Sequence, residues 1–164
     1  MQQAASTTVS PISVTPVLRP TTTPQGGVRS VALFGTQVNI FLTGEDTNGV
    51  YSTYEVICEP GAGSPPHVHS WDDESFHVVE GEFEIMRGDE LFTAGPGTTV
   101  ALPRHIPHYF RNVGTGTGRL LGMATPAGHE HFFVDASQLS FPPDPEAAAA
   151  VCRKHGLELV APGK

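Results

Sequence analysis

The sequence has few of the features that mark secreted, membrane-bound or nucleic-acid-binding proteins. It contains two cysteines in 164 residues, and no apolar run reaches the ~18 residues that a membrane-spanning helix needs. The N-terminus lacks the basic start and apolar core of a signal peptide. Lys and Arg number 9 against 17 acidic residues, a net charge of −8. This balance disfavours nucleic acid and anionic membranes as partners, and we expect a cytoplasmic protein.

Charged residues are also scarce, at 16% of the chain, whereas 18 glycines and 15 prolines are present. This composition is typical of many turns that join short strands. The length is that of one domain with a real core. Cys58 and Cys152 lie in different contexts, so we predict one thiol in a strand and one in a helix rather than a disulfide.

One stretch, residues 61–81, carries the strongest chemical pattern. His67 and His69 are two residues apart, so on an extended chain their side chains project to the same face. A turn through residues 70–73 can bring Glu74 back beside them. Two imidazoles and a carboxylate suit a first-row transition metal. The alternative is that these are surface residues that lie together by chance.

A second stretch, residues 97–112, supplies a fourth candidate donor. It ends an apolar strand, turns on Pro103 and Pro107, and puts His108 at the start of another short strand. On that strand His108, Phe110 and Asn112 share one face.

Together the two stretches resemble the paired motifs of the cupin family. The first motif is Gly, five residues, His-x-His, three or four residues, Glu, six residues, Gly, and it is matched by Gly61, His67, His69, Glu74 and Gly81. The second is Gly, five residues, Pro-x-Gly, two residues, His, three residues, Asn, and it is matched by Gly97, Pro103, His108 and Asn112. His105 stands where the family has glycine. We expect a positive φ there, which histidine tolerates.

The resemblance implies an all-β fold, the cupin double-stranded β-helix or jelly-roll barrel, and the regular turn spacing agrees with it. We predict a flexible N-terminal arm over residues 1–27, the barrel over 28–140 and a helical tail over 141–164. The tail contains a short C-terminal helix that begins at Asp144-Pro145 and stops before Gly156.

Strand parity separates inward from outward side chains. If Glu74 faces inward, so do Phe76 and Val78, while His77 faces away. The predicted substrate-binding residues are inward apolar neighbours of the donors, and their alternative role is barrel core: Phe76, Val78, Ile85, Phe110 and Met123.

The segment after the last strong strand contains a second His-x-His, His129 and His131, at the start of a predicted short helix through about Ala136. No carboxylate follows at strand spacing, so we do not assign these histidines to a metal. His105, His129 and His131 therefore have no role assigned from the sequence. The Thr-Pro-Ala-Gly and Phe-Phe sequence here resembles the tail of small cupins related to quercetin 2,3-dioxygenases, which packs near the barrel mouth.

Three imidazoles and one carboxylate leave open positions on one divalent ion per chain, and they do not select among Fe, Ni, Mn, Cu, Co and Zn. Glu74 is the donor that could also act as a base.

The resemblance implies a metal-dependent enzyme, first a dioxygenase that uses O2 on an aromatic, flavonol-like or enolisable small molecule. The alternatives are a non-redox isomerase, cyclase or lyase, and a small-ligand-binding protein without turnover. The resemblance also implies a homodimer.

Overall fold

The computed structural model describes residues 29–33, 35–140 and 142–160, so the predicted arm over residues 1–27 lies outside the described residues. Among the described residues, no helix is long and apolar enough to cross a membrane. The elements in chain order are β1 Arg29–Leu33, β2 Thr36–Leu42, α1 Gly44–Thr47, β3 Ser52–Cys58, β4 His67–His69, β5 Asp73–Glu80, β6 Phe83–Arg87, β7 Glu90–Ala94, β8 Thr99–Leu102, β9 His108–Asn112, β10 Gly118–Thr125, α2 His129–Ala136, α3 Pro145–Lys154 and β11 Leu157–Leu159.

The strands form two antiparallel sheets that enclose the core. The larger sheet has the order β1-β2-β3-β10-β5-β8, and the smaller has the order β11-β4-β9-β6-β7. Strands that are far apart in sequence, such as β3 and β10, are therefore neighbours in space. This arrangement confirms the predicted all-β jelly-roll barrel with a short C-terminal helix.

The inward face of β5 follows the predicted parity. In β5 the buried side chains are Glu74, Phe76 and Val78, and His77 lies on the other side. There the Nδ1 atom of His77 lies 2.8 Å from the hydroxyl of Thr99. The period of two therefore places a carboxylate on the same strand face as two apolar core residues.

Met123 is wrongly predicted as an inward residue. Its side chain is 41% exposed, whereas Gly118, Leu120, Gly122 and Ala124 are the buried residues of β10. Apolar side chains occupy both faces of this strand, so hydrophobicity alone does not reveal its parity. At position 122 a side chain is excluded because the ring of Tyr54 lies over the glycine, where a Cβ atom would come within 2.2 Å of it.

The C-terminal helix begins as predicted. The side chain of Asp144 accepts a hydrogen bond from the backbone N–H of Ala147, and Pro145 occupies the first turn. Beyond Gly156 the chain forms β11, which the sequence did not predict because three residues are too few for a strand pattern. It pairs with β4, so the C-terminal segment joins the edge of the smaller sheet beside the two motif histidines.

His105 adopts the positive φ, 66°, that its position in the motif predicts. Its backbone N–H donates to the carbonyl oxygen of His69 at 2.8 Å. The turn that precedes His108 is thereby attached to the strand that carries His67 and His69. The departure from glycine leaves the turn geometry intact.

Candidate metal centre

The four predicted donors come together inside the barrel, from both sheets. β4 carries His67 and His69, and β9 carries His108 directly opposite His67 in the strand register. Opposed residues on neighbouring antiparallel strands have adjacent side chains. Glu74 reaches the same place from β5 in the larger sheet. All four side chains are buried.

The outer nitrogen of each imidazole is fixed by a hydrogen bond. Nδ1 of His67 lies 2.8 Å from the carbonyl oxygen of Pro65, and Nδ1 of His108 lies 3.0 Å from that of Ile106. A carbonyl oxygen only accepts hydrogen bonds, so in both rings Nδ1 carries the hydrogen. Nδ1 of His69 lies 2.7 Å from Oδ2 of Asp72 and is oriented in the same way. The Nε2 lone pairs are therefore free for a ligand.

These Nε2 atoms converge with the carboxylate of Glu74. Nε2 of His67 and Nε2 of His69 are 3.1 Å apart, and Nε2 of His108 lies 3.4 Å from Oε2 of Glu74. The geometry of the second contact is not that of a hydrogen bond, so within the described part of the chain the buried His108 Nε2 has no partner. Lone pairs that face one another in a buried site repel, and a bound cation removes that repulsion. The donor set therefore fits a metal ion, as in zinc or non-haem iron sites.

The protonation states of His67 and Glu74 also favour metal binding. Burial lowers the pKa of His67 to about 3, with further contributions from His108 and His69, so this ring is neutral at pH 7. Burial alone would raise the pKa of Glu74, but contact with His108 and the charge of His69 outweigh it and hold that pKa well below its usual value. Neutral imidazoles and an ionised carboxylate are the protonation states that bind metal.

Tyr54, on β3, is the first site residue that the sequence did not predict. Its phenol is fully buried, and its hydroxyl donates a hydrogen bond to Oε1 of Glu74. Burial, followed by the charge of Glu74, raises its pKa well above the usual value, so the phenol keeps its proton. Its place on the inward face of β3 was predictable by alternation, but its contact with a residue on β5 was not.

Asp72 is the second residue that the sequence did not assign, although it lies in the predicted turn between His69 and Glu74. Its carboxylate is buried and accepts the Nδ1 hydrogen of His69. For His69, burial lowers the pKa, but the hydrogen bond to Asp72 and the charge of Glu74 outweigh it and raise the pKa. Carboxylates in this position orient a ligating histidine and increase its basicity.

Replacing Asp72 with Asn is expected to weaken metal binding about tenfold to a hundredfold, because the amide keeps the shape but removes the charge that orients His69. Competition with a chromophoric chelator would measure the affinity. Asp73→Asn is the matched control, because Asp73 pairs instead with Arg104 at the surface. Equal affinities in the two variants would contradict the role given to Asp72.

His129, which the sequence left without a role, lies beside the donors. Its ring is buried and stacks on that of His69, with centroids 4.7 Å apart at 24°. Its Nδ1 lies 3.6 Å from Oδ2 of Asp72 and has no hydrogen-bond partner among the described residues. His131 instead has a 69% exposed side chain. The predicted helix, α2, thus brings His129 into the site, next to Asp72, and leaves His131 outside it.

A cavity of about 310 Å³ reaches two of the donors, His67 and Glu74. Most of its lining is apolar, and Phe132 and Phe133 of α2 contribute to it. The resemblance predicted that the segment with Phe132 and Phe133 packs near the barrel mouth, and their place in the cavity lining agrees with that prediction. Of the predicted substrate-binding residues, Phe76 and Phe110 line the cavity.

Two further predicted substrate-binding residues, Val78 and Ile85, are fully buried core residues that are not part of the cavity lining. Their alternative role as barrel core is the one that their positions favour. Asn112 similarly supports a turn, because its Nδ2 donates to the carbonyl oxygens of Cys58 and Gly116. Its side chain therefore fixes the loop before β10 rather than a metal ligand.

Comparison with known proteins agrees with this geometry. Residues 54–123 match the family model of the cupin domain, a range that contains all four donors. A curated relative from Streptomyces cyaneus, named polyketide synthase CurC, is 31% identical over 70 residues, which are 43% of this chain and 46% of the relative. The chain spans about half the length of the curated relatives it matches.

Solved structures share the fold. KdgF from a Halomonas species has a TM-score of 0.54 at 23% identity, over 59% of this chain and 84% of that one. An RmlC-like cupin from Shewanella frigidimarina has a TM-score of 0.55 at 18% identity, over 65% and 91% of the two chains. These likenesses show the fold, and residues 54–123 are similar to the cupin domain.

Proposed function

We propose that the protein is a metal-dependent enzyme that removes a proton from an enolisable, oxygen-bearing small molecule. One observation carries this proposal: the four buried donors open, through His67 and Glu74, onto an apolar cavity. A structural metal site is closed on all sides by protein ligands, whereas a catalytic site keeps a position that the substrate can reach. The cavity provides that access.

His67, His69, His108 and Glu74 would hold the ion. A divalent ion bound there supplies Lewis acidity, which lowers the pKa of a hydroxyl or carbonyl-adjacent C–H on a substrate that it contacts. The protein's part is to orient the three imidazoles through their Nδ1 hydrogen bonds, so that each Nε2 atom faces the ion. Those bonds come from the backbone and Asp72, so the donors are held rigidly before substrate arrives.

Glu74 would accept the proton. Its Oε2 faces the ligand nitrogens, and its Oε1 accepts the hydrogen bond from Tyr54. The carboxylate lies at the cavity wall, so it could take a proton from a substrate hydroxyl or α-carbon without moving far. The Tyr54 hydroxyl holds the carboxylate in place during that transfer.

The cavity wall selects the kind of substrate. Phe76, Phe110, Phe132 and Phe133 give it four phenylalanine rings, and its volume is about 310 Å³. An aromatic or largely apolar molecule that carries oxygens at one end fits such a wall and leaves little water at the reacting atoms. The substrate we propose therefore has an apolar body and an enolisable, oxygenated head.

The first candidate for the reaction is oxygen-dependent cleavage, a dioxygenase reaction on an aromatic or flavonol-like substrate. It is supported by the motif resemblance and by the open access to the donors. The second candidate is a non-redox ring closure or isomerisation that begins with the same proton removal. The name of the curated relative, a polyketide synthase, favours it, because polyketide chains carry the enolisable carbonyl groups that such a reaction uses.

Oxygen consumption separates the candidates. The protein would be loaded separately with Fe, Ni, Mn, Cu, Co and Zn and mixed with flavonols, catechols and a polyketide-type β-diketone, with His108→Ala as the inactive control. Oxygen uptake with product formation supports the dioxygenase. Product formation under strict anaerobiosis supports the non-redox enzyme. Tight binding of these compounds without product under either condition would contradict an enzymatic function and favour a ligand-binding protein.

A further inference from the structure

Tyr54 reaches Glu74 across an intervening strand. β10 lies between β3, which carries Tyr54, and β5, which carries Glu74. In the register, Tyr54 is opposite Gly122, while the strand position opposite Glu74 is Ala124. The phenol therefore leans diagonally over two small residues of β10 to donate to Oε1 of Glu74.

The ring of Tyr54 lies in the space that the missing side chain of Gly122 leaves open. A Cβ atom at position 122 would lie 2.2 Å from Cε2 of Tyr54, so only glycine permits the ring to occupy its position. The ring of Phe133 packs edge-on against it, with centroids 4.7 Å apart. The tyrosine is thus held on several sides with its hydroxyl directed at one atom of the carboxylate.

The two oxygens of Glu74 consequently have different surroundings. Oε1 is engaged by the Tyr54 hydroxyl, while Oε2 lies 3.4 Å from Nε2 of His108 and 3.9 Å from Nε2 of His69. A carboxylate can bind a metal through one oxygen or through both. In this structure one oxygen faces the other donors, and the second is tied to a neutral hydrogen-bond donor.

We propose that Tyr54 is a positioning residue that keeps Oε1 of Glu74 away from the ion, so that Glu74 contributes one oxygen and the substrate can bind through two. This inference rests on the proposed metal centre. Without the hydroxyl, Oε1 would be a buried anionic atom that lacks a partner, and turning toward the ion would satisfy it. The carboxylate would then occupy the place of the second substrate oxygen.

The test uses Tyr54→Phe loaded with Co²⁺, whose visible absorption responds to the number of ligands. Acetohydroxamate, which binds through two oxygens, and azide, which binds through one atom, would be titrated into the protein. We expect Tyr54→Phe to retain one cobalt per chain and to show an altered cobalt spectrum. We also expect it to bind acetohydroxamate about tenfold to a hundredfold more weakly, with azide affinity changed much less.

Tyr109→Phe is the matched control. The Tyr109 hydroxyl donates to the carboxylate of Glu84 at 2.9 Å, on the outer side of β9, so the variant loses the same kind of hydrogen bond away from the donors. Its cobalt spectrum and its affinities for both probes should equal those of the unaltered protein.

Three outcomes would overturn the inference: an unchanged spectrum and unchanged probe affinities in Tyr54→Phe, equal weakening of both probes, or loss of cobalt from a folded variant. If Tyr54→Phe does not fold, Gly122→Ala is the second variant, because its added methyl group displaces the ring of Tyr54. It should also bind acetohydroxamate more weakly while its azide affinity changes much less. Equal changes for the two probes in Gly122→Ala would overturn the inference. Failure of the unaltered protein to bind cobalt would instead refute the proposed metal centre.

Discussion

Replacing His108 with alanine is expected to release the metal and leave a folded barrel. His108 contributes Nε2 to the donor cluster, and this atom has no hydrogen-bond partner among the described residues. Structural zinc binding is worth about 10–16 kcal/mol over four donors, so one donor carries roughly 3 kcal/mol, or on the order of a hundredfold in affinity. Elemental analysis after dialysis against a chelator would measure metal per chain, and His67→Ala is expected to behave in the same way.

The barrel should persist because alanine retains the backbone hydrogen bonds of β9 and removes one of the nitrogens that crowd the centre without a cation. Circular dichroism and the thermal midpoint would verify the fold. His77→Ala is the control, since His77 lies on the same sheet as Glu74 but faces the opposite side. Full metal occupancy in a folded His108→Ala variant would refute the assignment of this donor.

Replacing Glu74 with Gln is expected to reduce turnover by a factor of about 10²–10⁴, the usual contribution of a general base, and to reduce metal affinity much less. The amide keeps the shape of the carboxylate. Its oxygen can face the donors while its NH2 group donates to the Tyr54 hydroxyl, but it cannot accept the substrate proton. Single-turnover rates at saturating metal, with a substrate found in the oxygen-uptake panel, would separate the two effects.

Glu84→Gln is the matched control, because Glu84 also accepts a hydrogen bond from a tyrosine, Tyr109, but lies on the outer side of the smaller sheet. Its turnover should equal that of the unaltered protein. Parallel losses of metal and turnover in Glu74→Gln would make Glu74 a ligand only and would remove the proposed base.

The convergence of the donors could be predicted from the sequence because it depends on local geometry. His67 and His69 share a strand face, Glu74 follows a turn of fixed length, and His108 begins the strand that pairs beside them. Spacing along short strands therefore carried most of the information about the centre. The positive φ of His105 was predictable for the same reason, since it depends on one turn.

The remaining site residues depend on contacts between distant elements. Tyr54 meets Glu74 across β10, and His129 arrives from a helix that follows the last long strand. No spacing in the sequence encodes either contact. Met123 was misplaced because a strand with apolar residues on both faces has no visible parity. β11 was missed because its pairing with β4 exists only in the folded chain.

Other sequence-based interpretations stay predictions. They are the division at residues 27 and 140, the homodimer and the cytoplasmic location. The substrate-binding roles of Phe76 and Phe110 are predictions as well, although both rings line the cavity.

Anomalous diffraction from crystals of the protein grown with Fe, Co or Zn tests the central claim most directly. The account predicts one strong peak inside the barrel, about 2.0–2.2 Å from Nε2 of His67, His69 and His108 and from one oxygen of Glu74. A peak located elsewhere, for example between Asp72 and His129, or no peak among these four side chains at saturating metal, would contradict it.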